Sequence, residues 1–214
     1  LFSHLGKNEE FRKNIQDGDT TVITDSNIVI VNVGGLDKTR RDIAFMINAI
    51  NMGNPKVIAL DVFFESMKPD TLGDLMLQEA FSMTKNLVLT TEMGGYNLEK
   101  NEFTELKTSH NAFNQHAANG YANMVTENES GRGQFNVCRK FHTRSTFIED
   151  QSDYPSFPVK ICELFDSLSI KELDERKKVE EHINFVGNIT TWENLLPDFY
   201  KFDRMEEWNK KHFM

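Results

Sequence analysis

No apolar run in this chain is long enough to cross a bilayer. The longest, Asn27 to Gly35 and Lys56 to Phe64, span about nine residues, whereas a helical crossing takes roughly 20. Cysteine is nearly absent: only Cys138 and Cys162 occur. Two cysteines make no disulfide framework and leave the redox compartment open, so they read as small core hydrophobes whose pairing is undecided. A basic stripe is missing too. The formal charge is -9, and the clusters Lys177-Lys178 and Lys210-Lys211 sit among acids, which excludes a phosphate-binding nucleic-acid surface.

The catalytic and cofactor signatures are equally thin. Gly34-Gly35-Leu36-Asp37-Lys38-Thr39 follows a strand and opens a helix, but it lacks both dinucleotide and P-loop spacing, and Asp37 would repel a phosphate held there. No G-x-S-x-G elbow occurs. The six histidines, His4, His110, His116, His142, His182 and His212, include no i, i+4 pair and have no cysteine pair nearby, so no metal site is expected. No cofactor and no catalytic residue are assigned.

What is present is a globular composition, 39% hydrophobic and 27% charged over 214 residues, enough for a sizeable core. Residues 1–26 read as a lead-in segment, with Asp17-Gly18-Asp19 as a turn, and residues 27–214 as a single domain. Ile28 to Val33 is a β-branched run suited to a strand covered on both faces. From Asp37, placed as an N-cap, Ile43, Met46, Ile47 and Ile50 follow helical spacing, and Gly53-Asn54-Pro55 stops the helix. Val57 to Phe64 is a second covered strand, expected to pair in parallel with the first.

Leu72, Leu75, Met76, Ala80 and Met83 outline a second helix, and Asn86 to Thr91 a third strand of the same sheet. Met93 to Asn119 is a long excursion with one helical turn near Phe113. Gly120 to Val125 and Gln134 to His142 are expected as an antiparallel pair. A helix through Ile161, Leu164, Phe165 and Leu168 follows. Then comes a second, Ser169 to Glu181, with Glu172–Arg176 and Asp174–Lys178 at helical spacing as a solvated charged face. His182 to Gly187 returns to strand character. The tail carries Trp192, Phe199, Tyr200, Phe202 and Trp208. The fold class is therefore α/β, a mixed and partly parallel sheet flanked by helices, with a long excursion after the third strand.

Chemically suggestive residues gather after strand ends, where α/β sheets place ligands. Asp61 and Phe64 end the second strand, Glu65 follows, Glu92 lies after the third, and Arg40 and Arg41 begin the first helix. Asp61, Phe64, Glu92 and Arg40 are the candidate ligand contacts. For Asp61 the alternative is hydrogen bonding to neighbouring loop N–H groups. A small-molecule enzyme using Asp61, Glu65 and Glu92, or an assembly module burying the aromatic tail, are the rival functions.

The order of these pieces resembles a known family. Ile28 to Val33, the helix and Val57-Ile58-Ala59-Leu60-Asp61-Val62-Phe63-Phe64 look like the head of the second type of CHASE domain, the cyclase- and histidine-kinase-associated sensory extracellular domain. The likeness continues through Asp74, Leu77, Leu87-Val88-Leu89, Gly120-Tyr121-Ala122-Asn123 and Cys138-Arg139-Lys140-Phe141. It closes on Ser156-Phe157-Pro158-Val159 and Ile183-Asn184-Phe185-Val186-Gly187, and so covers roughly Asn27 to Asn188.

The resemblance implies a ligand-sensing domain of a bacterial signalling protein, extracytoplasmic and periplasmic, and not an enzyme. Membrane helices absent from this chain would anchor it to the inner membrane and pass the signal to a cytoplasmic output. Its ligand would be an undefined small molecule or peptide, and a homodimer is compatible. Asp61, Asn123, Arg139 and Gly187 are the family-like positions, expected to be structural. Two departures stand out. An aspartate and a Trp-Pro motif are replaced by Asn32-Val33-Gly34-Gly35, so ligand contacts tied to them do not carry over. The family's closing glycine-ended strand is missing before Met214, so either the chain continues or a sheet edge stays open to strand addition or dimerisation.

Overall fold

The computed structural model of the protein describes residues 27–33, 38–95, 103–123, 125–127, 137–147, 153–183 and 193–195; for 125–127, 137 and 193–195 only the backbone is described. The architecture is α/β with a mixed sheet, as the sequence pattern predicts. Its centre is β3, Leu87–Gly94. β2, Ile58–Leu60, pairs with it in parallel, as does β5, Ala118–Tyr121, and β4, Glu105–Lys107, runs antiparallel to its far end.

Helix α1, Arg40–Asn51, starts on a reciprocal capping box. Thr39 accepts from the Asp42 N–H at 3.2 Å while the Asp42 carboxylate accepts from the Thr39 N–H at 2.9 Å, satisfying two backbone donors at once. The cap is thus Thr39 and not Asp37, which lies outside the described residues. The helix buries Ile43, Ala44, Met46, Ile47 and Ala49, one face at helical period. Helix α2, Thr71–Met83, is capped by Asp70 and buries Gly73, Asp74, Leu77, Ala80 and Phe81.

Both helices cover one face of the sheet. Leu87 and Leu89 share a core cluster with Ile43, Ile47, Leu77, Phe81 and the strand residues Ile58 and Leu60. The excursion after β3 is less irregular than its sequence implies. Met93 and Gly94 still belong to β3, β4 follows, and the helical turn expected near Phe113 is α3, Asn111–Asn114. Phe113 is fully buried and meets Phe64 and Phe81 at ring-centroid distances of 5.4 and 6.1 Å.

The opposite face is sealed by α4, Phe157–Phe165. Thr90 and Gly120 are register partners, so both point to that side. A Cβ on Gly120 would stand 2.6 Å from the Phe157 Cα; only glycine lets the helix start come this close. Covered on both faces, β3 is buried without a break from Leu87 to Thr91, which explains its lack of alternation. β2 is covered on one face only, and Ala59 is exposed between buried Ile58 and Leu60.

Four further expectations are corrected. β1, Val29–Val31, does not pair with β2; its partner is β11, Glu193–Leu195, in parallel. The segment Gly120 to Val125 is not one strand: β5 joins β3, and only β6, Val125–Glu127, runs antiparallel to β7, Val137–His142. The second of the two late helices is shifted. After α4, Asp166 turns the chain and accepts from the Leu168 N–H at 3.1 Å, opening α5, Ser167–Glu175. Glu181 belongs instead to β10, Glu180–His182, antiparallel to β7. Finally, the expected pairs of that helix face give way to longer-range ones: Asp174 with Arg144 at 3.2 Å and Arg176 with Glu181 at 3.4 Å.

A hairpin of β8, Arg144–Thr146, and β9, Asp153–Pro155, completes the described elements. Cys138 and Cys162 are both free. Gly187 and the aromatic tail lie outside the described residues.

Candidate functional site

Because β1 is hydrogen-bonded to β11 and not to β2, a slot opens between β1 and β2. Most Cα pairs between the two strands are more than 8 Å apart, where hydrogen-bonded neighbours sit about 4.8 Å apart. On the α1 side of the slot is a cavity of about 390 Å³, walled by residues that include Val29, Val31, Met46, Ile50, Ile58 and Leu60. On the α4 side is one of about 310 Å³, walled by Val57, Pro158, Ile161, Cys162 and Phe165 among others. Asn27, Val29, Val57 and Ala59 line both cavities, so the two lie against the same stretch of β1 and β2. Volumes of this size suit a small ligand.

The strand pattern dictates what the slot offers. Ile58 donates its N–H to the Asn86 carbonyl at 2.9 Å, on the β3 side; by alternation the N–H and C=O of Ala59 face the slot. Asp61 is exposed at the end of β2 and lines the larger cavity. It makes no hydrogen bond or ion pair with another described residue. Among the described residues lining the two cavities it is the one carboxylate, the Cys162 thiol being the other ionisable group.

The other candidates are brought together elsewhere. Phe64 is 3% exposed and sits in the aromatic cluster. Arg40 is turned inward: its guanidinium pairs with the buried Asp74 carboxylate, donates to the Ser66 carbonyl and lies 4.8 Å from the Phe113 ring centroid and 5.8 Å from that of Phe64. Asp74 also accepts from the Lys68 N–H at 2.7 Å. Arg40 and Phe64 therefore knit α1, α2 and α3 together. Glu65 and Glu92 gather round Lys107. Its ammonium bonds Glu65 at 2.6 Å, its strand position is opposite Glu92, and it lies 5.3 Å from the Phe63 ring. That cation holds the Glu65 carboxyl below its ordinary range, and Glu65 in turn raises the Lys107 ammonium.

The three carboxylates of the enzyme reading thus do not converge, since Asp61 takes no part in the Lys107 cluster. Among the described residues no group of three or more His, Cys, Asp or Glu side chains could hold a metal ion. None of the described helices is long and apolar enough to cross a membrane.

A family model, the CHASE2 domain, matches residues 17–208. The chain belongs to the CHASE2 domain family. No curated protein and no solved structure matches it. CHASE2 domains are extracellular sensory domains, a family that is sensory and not catalytic, which supports an extracytoplasmic location.

Within this CHASE2 domain, two of the family-like residues have visible backbone work. Asn123 accepts from the Met93 N–H at 2.8 Å and donates to the Met93 carbonyl at 2.7 Å, extending the β3–β5 ladder by a side chain. Arg139 accepts on its carbonyl from Ile183 at 2.8 Å, tying β7 to the chain after β10. Sequence reasoning passed over two residues. Asp74 belongs to the family motif order, and an acid at a core-facing helix position is a signal for a buried partner. Tyr121 donates from its hydroxyl to the His142 carbonyl at 3.0 Å and accepts from Ser145 at 2.9 Å, and burial pushes its pKa up to about 12.

Proposed function

We propose that this domain is the ligand-sensing part of a bacterial signalling protein, periplasmic and anchored to the inner membrane, and that the β1–β2 slot is its ligand site. The observation behind this is the separation of β1 from β2. Among the described residues β1 and β11 form a ribbon hydrogen-bonded to itself and not to the sheet, held on α1 by the packing of Val29, Val31 and Val33 on Met46 and Ala49. Apolar packing is non-directional, so the ribbon can shift on α1 without breaking a ladder. A ligand in the slot contacts the ribbon on one wall and the fixed β2 edge on the other, with Asp61 at the mouth as its polar contact. Binding then moves the ribbon, and with it the chain segments that flank β1 and β11, toward a cytoplasmic output.

Hydrogen exchange read by mass spectrometry tests this. A ligand that raises the melting temperature should slow exchange in Val29–Val31 and Glu193–Leu195 together and leave Leu87–Thr91 unchanged. Protection confined to any other part of the chain would overturn the slot as the ligand site. Placement is checked separately by labelling Asp61→Cys, in a Cys138→Ser background of the full-length protein in intact cells, with a membrane-impermeant maleimide. Labelling only after lysis would overturn the periplasmic assignment.

A further inference from the structure

The slot has the dimensions and the bonding of a place for a strand. Two successive strand spacings amount to about 9.6 Å, and most β1–β2 Cα pairs are more than 8 Å apart, a separation compatible with one extended chain between them. The β2 wall presents the N–H and C=O of Ala59, which have no hydrogen-bond partner among the described residues, groups that ordinarily seek one. A strand sends alternate side chains to opposite faces, and here a cavity lies on each face, about 390 Å³ against α1 and about 310 Å³ against α4. A compact apolar molecule would fill one cavity and leave the other, and the Ala59 backbone, unused.

Charge narrows the class further. Among the described residues that line the slot Asp61 is the one acid, and none of them pairs with it; on a chain of net charge -9 the complementary occupant carries a cation at that end. We propose that the slot takes an extended peptide as an inserted strand, with small apolar side chains alternating into the two cavities and a Lys or Arg meeting Asp61. This rests on the slot being the ligand site and adds the class of ligand. β1, Val29–Val31, then becomes the strand on its far side, and β-augmentation turns peptide binding into a fixed spacing between the ribbon and the sheet.

Calorimetric titration of the whole chain with four probes tests it. Val57 to Val62 spans six residues of wall, so the parent probe is the capped hexapeptide Ac-Lys-Val-Ala-Val-Ala-Val-NH2. Its counterparts are one with Glu for Lys, one N-methylated at alternate residues, and decylamine. The parent should bind. N-methylation, which removes the backbone donors toward one wall, should weaken binding tenfold or more, and Glu for Lys should weaken it up to about fivefold, the range of an exposed ion pair. Asp61→Asn should erase the Lys-over-Glu preference, and Ala59→Pro, which removes the slot-facing donor and leaves the β2–β3 ladder intact, should reproduce the N-methylation loss. Equal binding of the parent and N-methylated peptides, or decylamine bound in preference to both, would overturn strand insertion. Protection of β1 and β11 by decylamine would still uphold the slot. Failure of every probe to bind or to protect β1 and β11 would overturn the peptide assignment and remove support from the slot itself.

Discussion

Replacing Arg40 by alanine should cost the protein far more stability than a change at a surface ligand contact would. Its partner Asp74 is 1% exposed at the side chain and Arg40 10%, so the substitution leaves a carboxylate in the core with the Lys68 N–H, at 2.7 Å, as its remaining hydrogen-bond donor among those described. Breaking a buried pair from one side costs about 3–5 kcal/mol. The surviving N–H bond points to the lower end, about 3 kcal/mol. Loss of the guanidinium from the Phe113 and Phe64 rings, at 4.8 and 5.8 Å, adds about 1 kcal/mol. The sum, about 4 kcal/mol, corresponds to a fall in Tm of roughly 8–16 °C for a chain of this size.

Urea unfolding followed by circular dichroism, with the slope held as a check on two-state behaviour, measures it. Adding Asp74→Leu to Arg40→Met should recover about 2–3 kcal/mol relative to the sum of the single changes, because the orphaned charge disappears with its partner. A loss below about 1 kcal/mol for Arg40→Ala, with no coupling in the double variant, would mean that the pair is solvated and that Arg40 is free to meet a ligand after all.

Further expectations follow from neighbouring contacts. Gly120→Ala forces a Cβ to within 2.6 Å of the Phe157 Cα, so α4 must lift from the sheet; a loss of about 2–4 kcal/mol is expected by the same denaturation assay, and a loss under about 0.5 kcal/mol would refute the close approach. Asn123→Ala strips both hydrogen bonds from the Met93 backbone and should cost about 1–3 kcal/mol, with faster hydrogen exchange at the end of β3; unchanged exchange there would show that water substitutes for the side chain. Tyr121 is raised from 10.0 to about 12 by burial. A group whose folded pKa lies above its unfolded one stabilises the fold below the unfolded value, so this contribution is intact below pH 10 and is lost as pH rises toward about 12. Ultraviolet titration should find one of the four tyrosines ionising late, and Tyr121→Phe should abolish that late step; its persistence in the variant would assign it elsewhere. On the acid side the Glu180 carboxyl is held below its ordinary range by His142 and Lys140, so its contribution is present above that range and fades as pH falls; His142→Ala and Lys140→Ala together should flatten that part of the stability profile.

Much of this was legible from residue order alone. The β-branched runs, the helical spacing of Ile43, Met46 and Ile47, and the motif order through Asn123 and Arg139 announce the α/β class and the sensory family, because period and local propensity are written in consecutive residues. The boundaries slipped where a side chain decided them. Thr39 caps α1 because Asp42 answers it, and Asp166 splits the late helices because its carboxylate takes the Leu168 N–H.

What tertiary structure alone decided is the choice of partners. A run such as Ile28 to Val33 is equally fit to pair with β2 or with β11, since every strand edge offers the same backbone groups; three-dimensional packing gave β1 to β11 and left the slot beside Ala59. Arg40 and Asp74 are 34 residues apart, and nothing in either local pattern names the other. Asp61 and Glu65, only four positions apart, are parted by the same logic, one at the slot's mouth and the other on Lys107. The sequence by itself determined which elements form and what family they compose, through short-range sterics and hydrophobic period. Which of the described strand edges pair with which was settled only when distant surfaces met.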